Sequence, residues 1–206
     1  MIVGIADLGI GNFAAMMKMV AQLGGDPRRV TSPEDLRAAS HVILPGVGAF
    51  DYAARVLNEG GWREPLLEIM QDGSRRVLCV CVGMQLLVDS SEEGPGSGLG
   101  WIPGRSVRFP SGAGCALKVP HMGWNDVTPV RPTRLFPEQN SDERFYFCHS
   151  YRVECADPSD VIATADYGTR FAAAIGRENV GAVQFHPEKS HRFGLRLLRN
   201  FLETTC

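Results

Sequence analysis

The chain has 206 residues, a length at which an α/β fold forms one core, so residues 1 to 206 are expected to make a single domain. Lysine and arginine number 21 against 23 aspartate and glutamate, and a net charge of -2 offers no basic surface for a phosphate backbone, which excludes nucleic acid as an expected partner. No apolar run is long enough to span a membrane, and the opening MIVGIADLGIGNF lacks a basic leader and a small-residue cleavage site, so a signal peptide is not expected.

Residues 2 to 6 (IVGIA) form a short apolar run that predicts a buried strand. Asn12 then stands where a helix cap is needed, ahead of Phe13, Met16, Met17 and Val20 at helical spacing, and Gly24 with Gly25 ends that helix. The apolar runs His41 to Leu44 and Arg76 to Val80 each lead into a glycine-containing turn and a segment able to be helical. That alternation is the rhythm of βαβ units and predicts a largely parallel sheet with helices on both faces. Beyond residue 126 the pattern changes to short strand candidates at Val127, Phe145 to Phe147, Arg152 to Glu154, Val161 to Ala165, Phe171 to Ile175 and Val180 to Phe185, which predicts antiparallel additions. Phe193, Leu197, Leu198 and Phe201 give the last segment an amphipathic helical stripe. Ser90 to Gly98 and Arg131 to Arg144, polar and proline-bearing, are expected as surface loops.

Six cysteines, at 79, 81, 115, 148, 155 and 206, lie in apolar runs without the spacing of a disulfide framework, which fits a reducing cytosol. Cys79 and Cys81 have no second pair at zinc-site spacing, so no metal is expected.

Cys81 is the residue with the clearest chemistry. The run from Val77 to Leu87 passes from strand directly into helix, which puts Cys81 on a sharp strand-to-helix turn of the nucleophile-elbow kind. A thiol there meets free helix N–H groups, and its thiolate is the attacking species. A core cysteine is more often a small apolar filler, but Gly83 favours the elbow, because helix and strand can nearly touch only where a side chain is missing.

A nucleophilic thiol needs a base, and His186-Pro187-Glu188 follows the strand candidate that ends at Phe185. In an extended segment, residues 186 and 188 project to one side, so the carboxylate can hold the imidazole in one tautomer. Read in isolation, His186 satisfies a backbone group and Glu188 faces water. With the elbow they complete nucleophile, base and orienter. Pro45-Gly46-Val47-Gly48 supplies backbone that can approach a substrate, so the N–H groups near Val47 and Gly48, with that of Val82, are candidate oxyanion donors.

Together these motifs resemble the class I glutamine amidotransferases. Within that class DLGIGNF (7 to 13), PGVGAF (45 to 50), GLGWIPG (98 to 104), VPHMGWN (119 to 125), FYFCHSY (145 to 151) and VQFHPEKS (183 to 190) resemble the glutaminase subunits of imidazole glycerol phosphate synthase, a histidine-biosynthesis enzyme. The resemblance implies a flavodoxin-like, doubly wound, mostly parallel sheet with antiparallel additions, and a cytoplasmic enzyme without a cofactor. It also implies a Cys81–His186–Glu188 triad acting on glutamine. Gln85 and the backbone at Ser150 and Tyr151 would hold the amino-acid head of the substrate. The implied partner is a (β/α)₈ cyclase in a heterodimer, with Asn12, Trp124 and Lys189 at or near its face; read without the family, these three are a helix cap, a core aromatic and a solvated charge. One departure stands out: position 79, usually glycine in the family, is cysteine here, which adds bulk before the elbow.

Three competing readings follow from the same residues. Gly9-Ile10-Gly11-Asn12-Phe13-Ala14 fits the G-x-G-x-x-[GA] turn of a dinucleotide site, but Arg28 to Thr31 lacks the acidic residue that such a site needs at the end of its second strand. A related glutaminase serving another synthase, for example in surface-sugar synthesis, would keep the triad and change only the acceptor. A non-catalytic scaffold would have no need of all three triad residues.

Overall fold

The computed structural model describes residues 1–110, 117–137 and 143–203. Cys115 and Cys206 and the middle of the 131–144 loop lie outside the described residues. In chain order the elements are β1 (Ile2–Ala6), α1 (Phe13–Gln22), β2 (Asp26–Val30), β3 (His41–Gly46), α2 (Phe50–Glu59), α3 (Arg63–Asp72), β4 (Arg76–Cys81) and α4 (Val82–Leu86). There follow β5 (Ser90–Ser91), β6 (Gly94–Ser97), β7 (Gly104–Arg108), β8 (His121–Pro129), β9 (Glu143–His149), β10 (Tyr151–Cys155), β11 (Val161–Asp166), β12 (Arg170–Arg177), β13 (Val180–Val183) and α5 (His191–Leu202).

Nine strands form one sheet in the order β2-β1-β3-β4-β13-β12-β11-β8-β9. The pairings from β2 to β13 are parallel and those from β13 to β9 antiparallel, so the sheet is mixed, with the antiparallel share as large as the parallel one. β3 and β4 are buried along their whole length, as expected of central strands covered on both faces. The expected cap is present, since Asn12 Oδ1 accepts from the Ala15 N–H at 3.4 Å, and α1 turns Met16 and Val20 into the core. α5 buries Leu197, Leu198, Phe201 and Leu202, the stripe its spacing predicts.

Two expectations are corrected. Ser90 to Gly98 is not a plain loop: β5 and β6 join β7 and β10 in a second, four-stranded sheet, in the order β10-β7-β5-β6. Gly94 and Gly96 allow this, because a Cβ on either would strike Asp51 or Ala54 of α2. The strand expected over Val180 to Phe185 ends at Val183, since Gln184 and Phe185 bend away toward the site.

Candidate active site

β4 and β13 are parallel neighbours, with Cys79 opposite Ala182 and Val80 opposite Val183, so the chain leaving each strand meets at the same end of the sheet. Cys81 is the last residue of β4 and the cap of α4, with φ 56° and ψ -109°. Outside glycine, this left-handed backbone is strained and is kept only where the surroundings impose it. The surroundings here are the facing backbone of β3. A Cβ on Gly83 would lie 2.2 Å from the Leu44 carbonyl oxygen, and one on Gly46 would lie 2.7 Å from the Gly83 nitrogen. Two glycines thus let β3 and α4 touch backbone to backbone, which forces the turn at Cys81 and brings the Pro45–Gly48 loop against Val82. Gly48 itself sits at φ +118° with open space beside it, and Val47 is exposed. α4 has only five residues, so local N–H groups matter at Cys81 more than any long macrodipole.

From β13 the chain continues through Gln184 and Phe185 to His186, whose N–H donates to the Tyr146 carbonyl at 2.9 Å. Glu188 does not lie on an extended strand, contrary to the sequence-based expectation. Pro187–Lys189 forms a 3₁₀ turn, and Pro187 at its first position fixes the entry. The turn still brings Glu188 Oε1 to 2.8 Å from His186 Nδ1, with both side chains almost fully buried. Ser190 Oγ closes the turn on the His186 carbonyl at 2.6 Å and accepts from the Tyr146 N–H at 3.0 Å. Burial alone lowers the basicity of His186, but hydrogen bonds to Cys81 and Glu188, together with their charges, outweigh it and push the pKa up to about 10. With Nδ1 turned to Glu188, Nε2 is the atom left for Cys81.

Gln85 and Gln184 are both buried. The Gln85 amide donates to Gln184 Oε1 at 3.2 Å, and the Gln184 amide donates to Cys81 Sγ at 3.6 Å. Gln85 therefore meets the nucleophile through another side chain. Sequence reasoning missed Gln184, although the β4–β13 pairing seats it beside Cys81; no residue pattern announces a cross-strand partner.

Ser150 and Tyr151 mark the step from β9 in the large sheet to β10 in the small one. The Ser150 carbonyl accepts from the Phe109 N–H at 3.0 Å. Behind this step runs a directed chain of hydrogen bonds. Asn125 Nδ2 donates to His121 Nε2 (3.3 Å), His121 Nδ1 to His149 Nε2 (3.1 Å), and His149 Nδ1 to the Tyr151 carbonyl (2.6 Å). Burial lowers His121 to about 4; burial, with help from the charges of His121 and His186, lowers His149 to about 3, so both rings are neutral.

Trp124, on β8, is partly exposed rather than a core aromatic, and stacks on His191 at 5.6 Å. Lys189 Nζ lies 5.6 Å over the Tyr146 ring, and Tyr146 meets Trp124 edge-on at 6.3 Å. α1, which Asn12 caps, packs beside the Pro187–Lys189 turn. The dinucleotide reading fails on position: β2 ends in Arg28, Arg29 and Val30, and Arg29 is paired with Asp7 of the preceding turn at 2.5 Å.

A glutamine amidotransferase class-I family profile matches residues 13–205, and the chain belongs to that family. Solved structures share the fold: a glutamine amidotransferase at TM-score 0.75 and 21% identity, covering 98% of this chain and 97% of that one, and PurLQS from Thermotoga maritima at TM-score 0.75 and 18% identity over the same shares. Within the family the chain falls among the HisH subunits of imidazole glycerol phosphate synthase. It is 47% identical to that of Bdellovibrio bacteriovorus over 97% of this chain and 98% of the relative. It is 48% identical to that of Syntrophotalea carbinolica over 96% and 97%, and 44% identical to that of Leptospira interrogans over 97% and 98%.

Proposed function

We propose that the chain, read as one glutamine amidotransferase domain over residues 1 to 206, is the glutaminase subunit that feeds ammonia to a (β/α)₈ imidazole glycerol phosphate cyclase. The observation that carries the chemistry is a single imidazole, His186, held by Glu188 at 2.8 Å on the chain that leaves β13, the parallel neighbour of the strand that ends in the strained elbow of Cys81. Cys81 Sγ attacks the side-chain carboxamide carbon of glutamine. The oxyanion is received by N–H groups of Val82 and of the Val47–Gly48 loop. His186 Nε2 delivers the proton with which ammonia leaves, Glu188 holds the ring, and water, deprotonated by the same nitrogen, cleaves the thioester to glutamate. Gln85, through Gln184, and the Ser150–Tyr151 backbone line the way to the amino-acid head of the substrate.

The partner face is assigned to Trp124, Lys189 and Asn12. The support is an aromatic and cationic cluster, Trp124–His191 and Lys189–Tyr146, standing partly exposed two bonds from the triad: Tyr146 accepts from the His186 N–H. The cyclase joins the ammonia to a phosphoribosyl-formimino carboxamide ribonucleotide. Among the described residues no helix is long and apolar enough to cross a membrane, which agrees with a cytoplasmic place for this pathway.

The test is glutamate release from glutamine by the purified chain, with and without the cyclase and its ribonucleotide ligand, beside a Cys81→Ala control. Strong stimulation that vanishes in the control supports both triad and partner. Release that ignores the cyclase overturns the partner and leaves the glutaminase reading in place.

A further inference from the structure

At the end of the sheet away from Cys81, a cavity of about 250 Å³ opens under the first residues of β4 and β13. Cys81 lies five residue steps along β4 from Arg76, so the two ends lie roughly 16 Å apart at about 3.3 Å per residue. Nothing in the glutaminase chemistry uses this cavity. Arg76, Arg131, Arg134 and Arg177 line it, with Glu178 as the acidic residue among them.

Two of the guanidiniums are held in place. Arg177 Nη2 pairs with Asp160 at 2.7 Å, which offsets its charge, and Arg131 Nη2 donates to the Ser159 carbonyl at 2.9 Å. Arg134 stands exposed at the mouth. Arg131 and Arg134 against Glu178 therefore leave the wall an excess of positive charge, presented by groups whose planar forks match a phosphate. Asn179, also in the lining, is buried at 7% exposure; its Nδ2 donates to the Arg75 carbonyl at 2.8 Å, and this fixes which way the amide points. Its Oδ1 is left buried without a partner. A buried acceptor of this kind calls for a donor such as a hydroxyl. Leu135, Ile162 and Phe201 add apolar surface.

We propose that this cavity binds a small phosphate ester bearing hydroxyl groups, on the scale of a sugar phosphate. Its phosphate lies against the arginines, one hydroxyl donates to Asn179 Oδ1, and its carbon skeleton rests on Leu135 and Ile162. The site is independent of the triad and of the cyclase assignment.

Calorimetric titration of the full chain with ribose 5-phosphate, inorganic phosphate and ribose tests the proposal. Saturable one-site binding of ribose 5-phosphate is expected, at least tenfold tighter than inorganic phosphate, with no binding of ribose. Arg134→Ala, at an exposed position that leaves the core intact, and the Arg131→Ala/Arg134→Ala pair are expected to weaken binding tenfold or more while glutamate release stays unchanged. Absence of saturable binding, equal affinity for inorganic phosphate, or indifference to both variants overturns the proposal.

Discussion

The contact between Gly83 and Leu44 makes Gly83→Ala the sharpest perturbation of the elbow. The added methyl would sit 2.2 Å from the Leu44 carbonyl oxygen, well inside any contact a real Cβ makes, and the obstacle is backbone of a fully buried strand. β3 and α4 must therefore separate by about 1 Å, which is the difference between this distance and ordinary contact. Overpacking of this kind costs about 1–3 kcal/mol, and the better helix propensity of alanine returns about 1 kcal/mol, so the net loss is about 0–2 kcal/mol. In a chain of this size that lowers Tm by at most about 8 °C. The larger effect falls on catalysis, because the displacement moves the Val82 N–H relative to the Gly46–Gly48 loop. A misplacement of about 1 Å costs about 10² in rate, or about 2.7 kcal/mol of transition-state stabilisation. The assay is kcat/KM for glutamate release in the presence of the cyclase, alongside urea unfolding. Gly61→Ala, at φ +70° with nothing within 4 Å of the added Cβ, is the contrasting control, since it brings backbone strain without a clash whereas Gly83→Ala brings a clash without positive φ. A Gly83→Ala protein with unchanged kcat/KM would refute the account of how Cys81 is positioned.

Gln184→Leu removes the amide that donates to Cys81 Sγ and strands the buried Gln85 amide beside it; a loss of about tenfold in kcat, as for one modest hydrogen bond to a charged group, is expected together with the loss of about 1–3 kcal/mol of stability that a stranded buried donor costs, and unchanged kcat counts against a role for Gln184. His121 and His149 are held neutral in the fold, at about 4 and about 3, whereas the unfolded chain takes up protons below about 6.5. Their contribution is therefore present above pH about 6.5 and lost as pH falls through those lower values. Urea unfolding between pH 4.5 and 7 should show a shallower acid slope in a His121→Phe/His149→Phe variant, and an identical slope refutes the neutral pair. His186 acts in the opposite direction. Because its pKa is raised to about 10, its contribution is full below about 6.5 and fades as pH rises through 10, so the cost of Glu188→Gln should shrink from pH 6 to pH 10.

The parallel half of the sheet was legible because its strands carry continuous apolar runs at His41 to Leu44 and Arg76 to Val80, and central strands need such runs. The elbow was legible because Gly83 lies at a fixed offset from Cys81. The small sheet was not, since β5 to β7 are short, polar and glycine-bearing: what makes Ser90 to Ser97 pair is the packing of Gly94 and Gly96 on α2, a tertiary effect with no local period. The His186–Glu188 pair was expected for the wrong backbone reason. Proline at the head of a 3₁₀ turn, rather than strand alternation, sets the two side chains together. Gln184 and the Asn125–His121–His149 chain depend on which strands become neighbours, and that is decided by topology.

Cys79 shows how the same geometry decides which departures from a family pattern matter. The resemblance implies glycine at this position, and the thiol in its place was expected to crowd the turn. The structure places Cys79 on β4 itself, two residues before the turn, in register with Leu44 on one side and Ala182 on the other. It is fully buried and free, and burial pushes its thiol well above the ordinary range, so it stays protonated and does not compete with Cys81 as a nucleophile. The backbone contacts that shape the elbow belong to Gly46 and Gly83, where an added Cβ would meet main-chain atoms at 2.7 and 2.2 Å. The tight turn therefore tolerates a side chain at 79 and none at 46 or 83. Cys79→Gly should accordingly leave kcat/KM within about twofold, a change of under about 0.5 kcal/mol, while losing stability through the cavity and the freer unfolded chain.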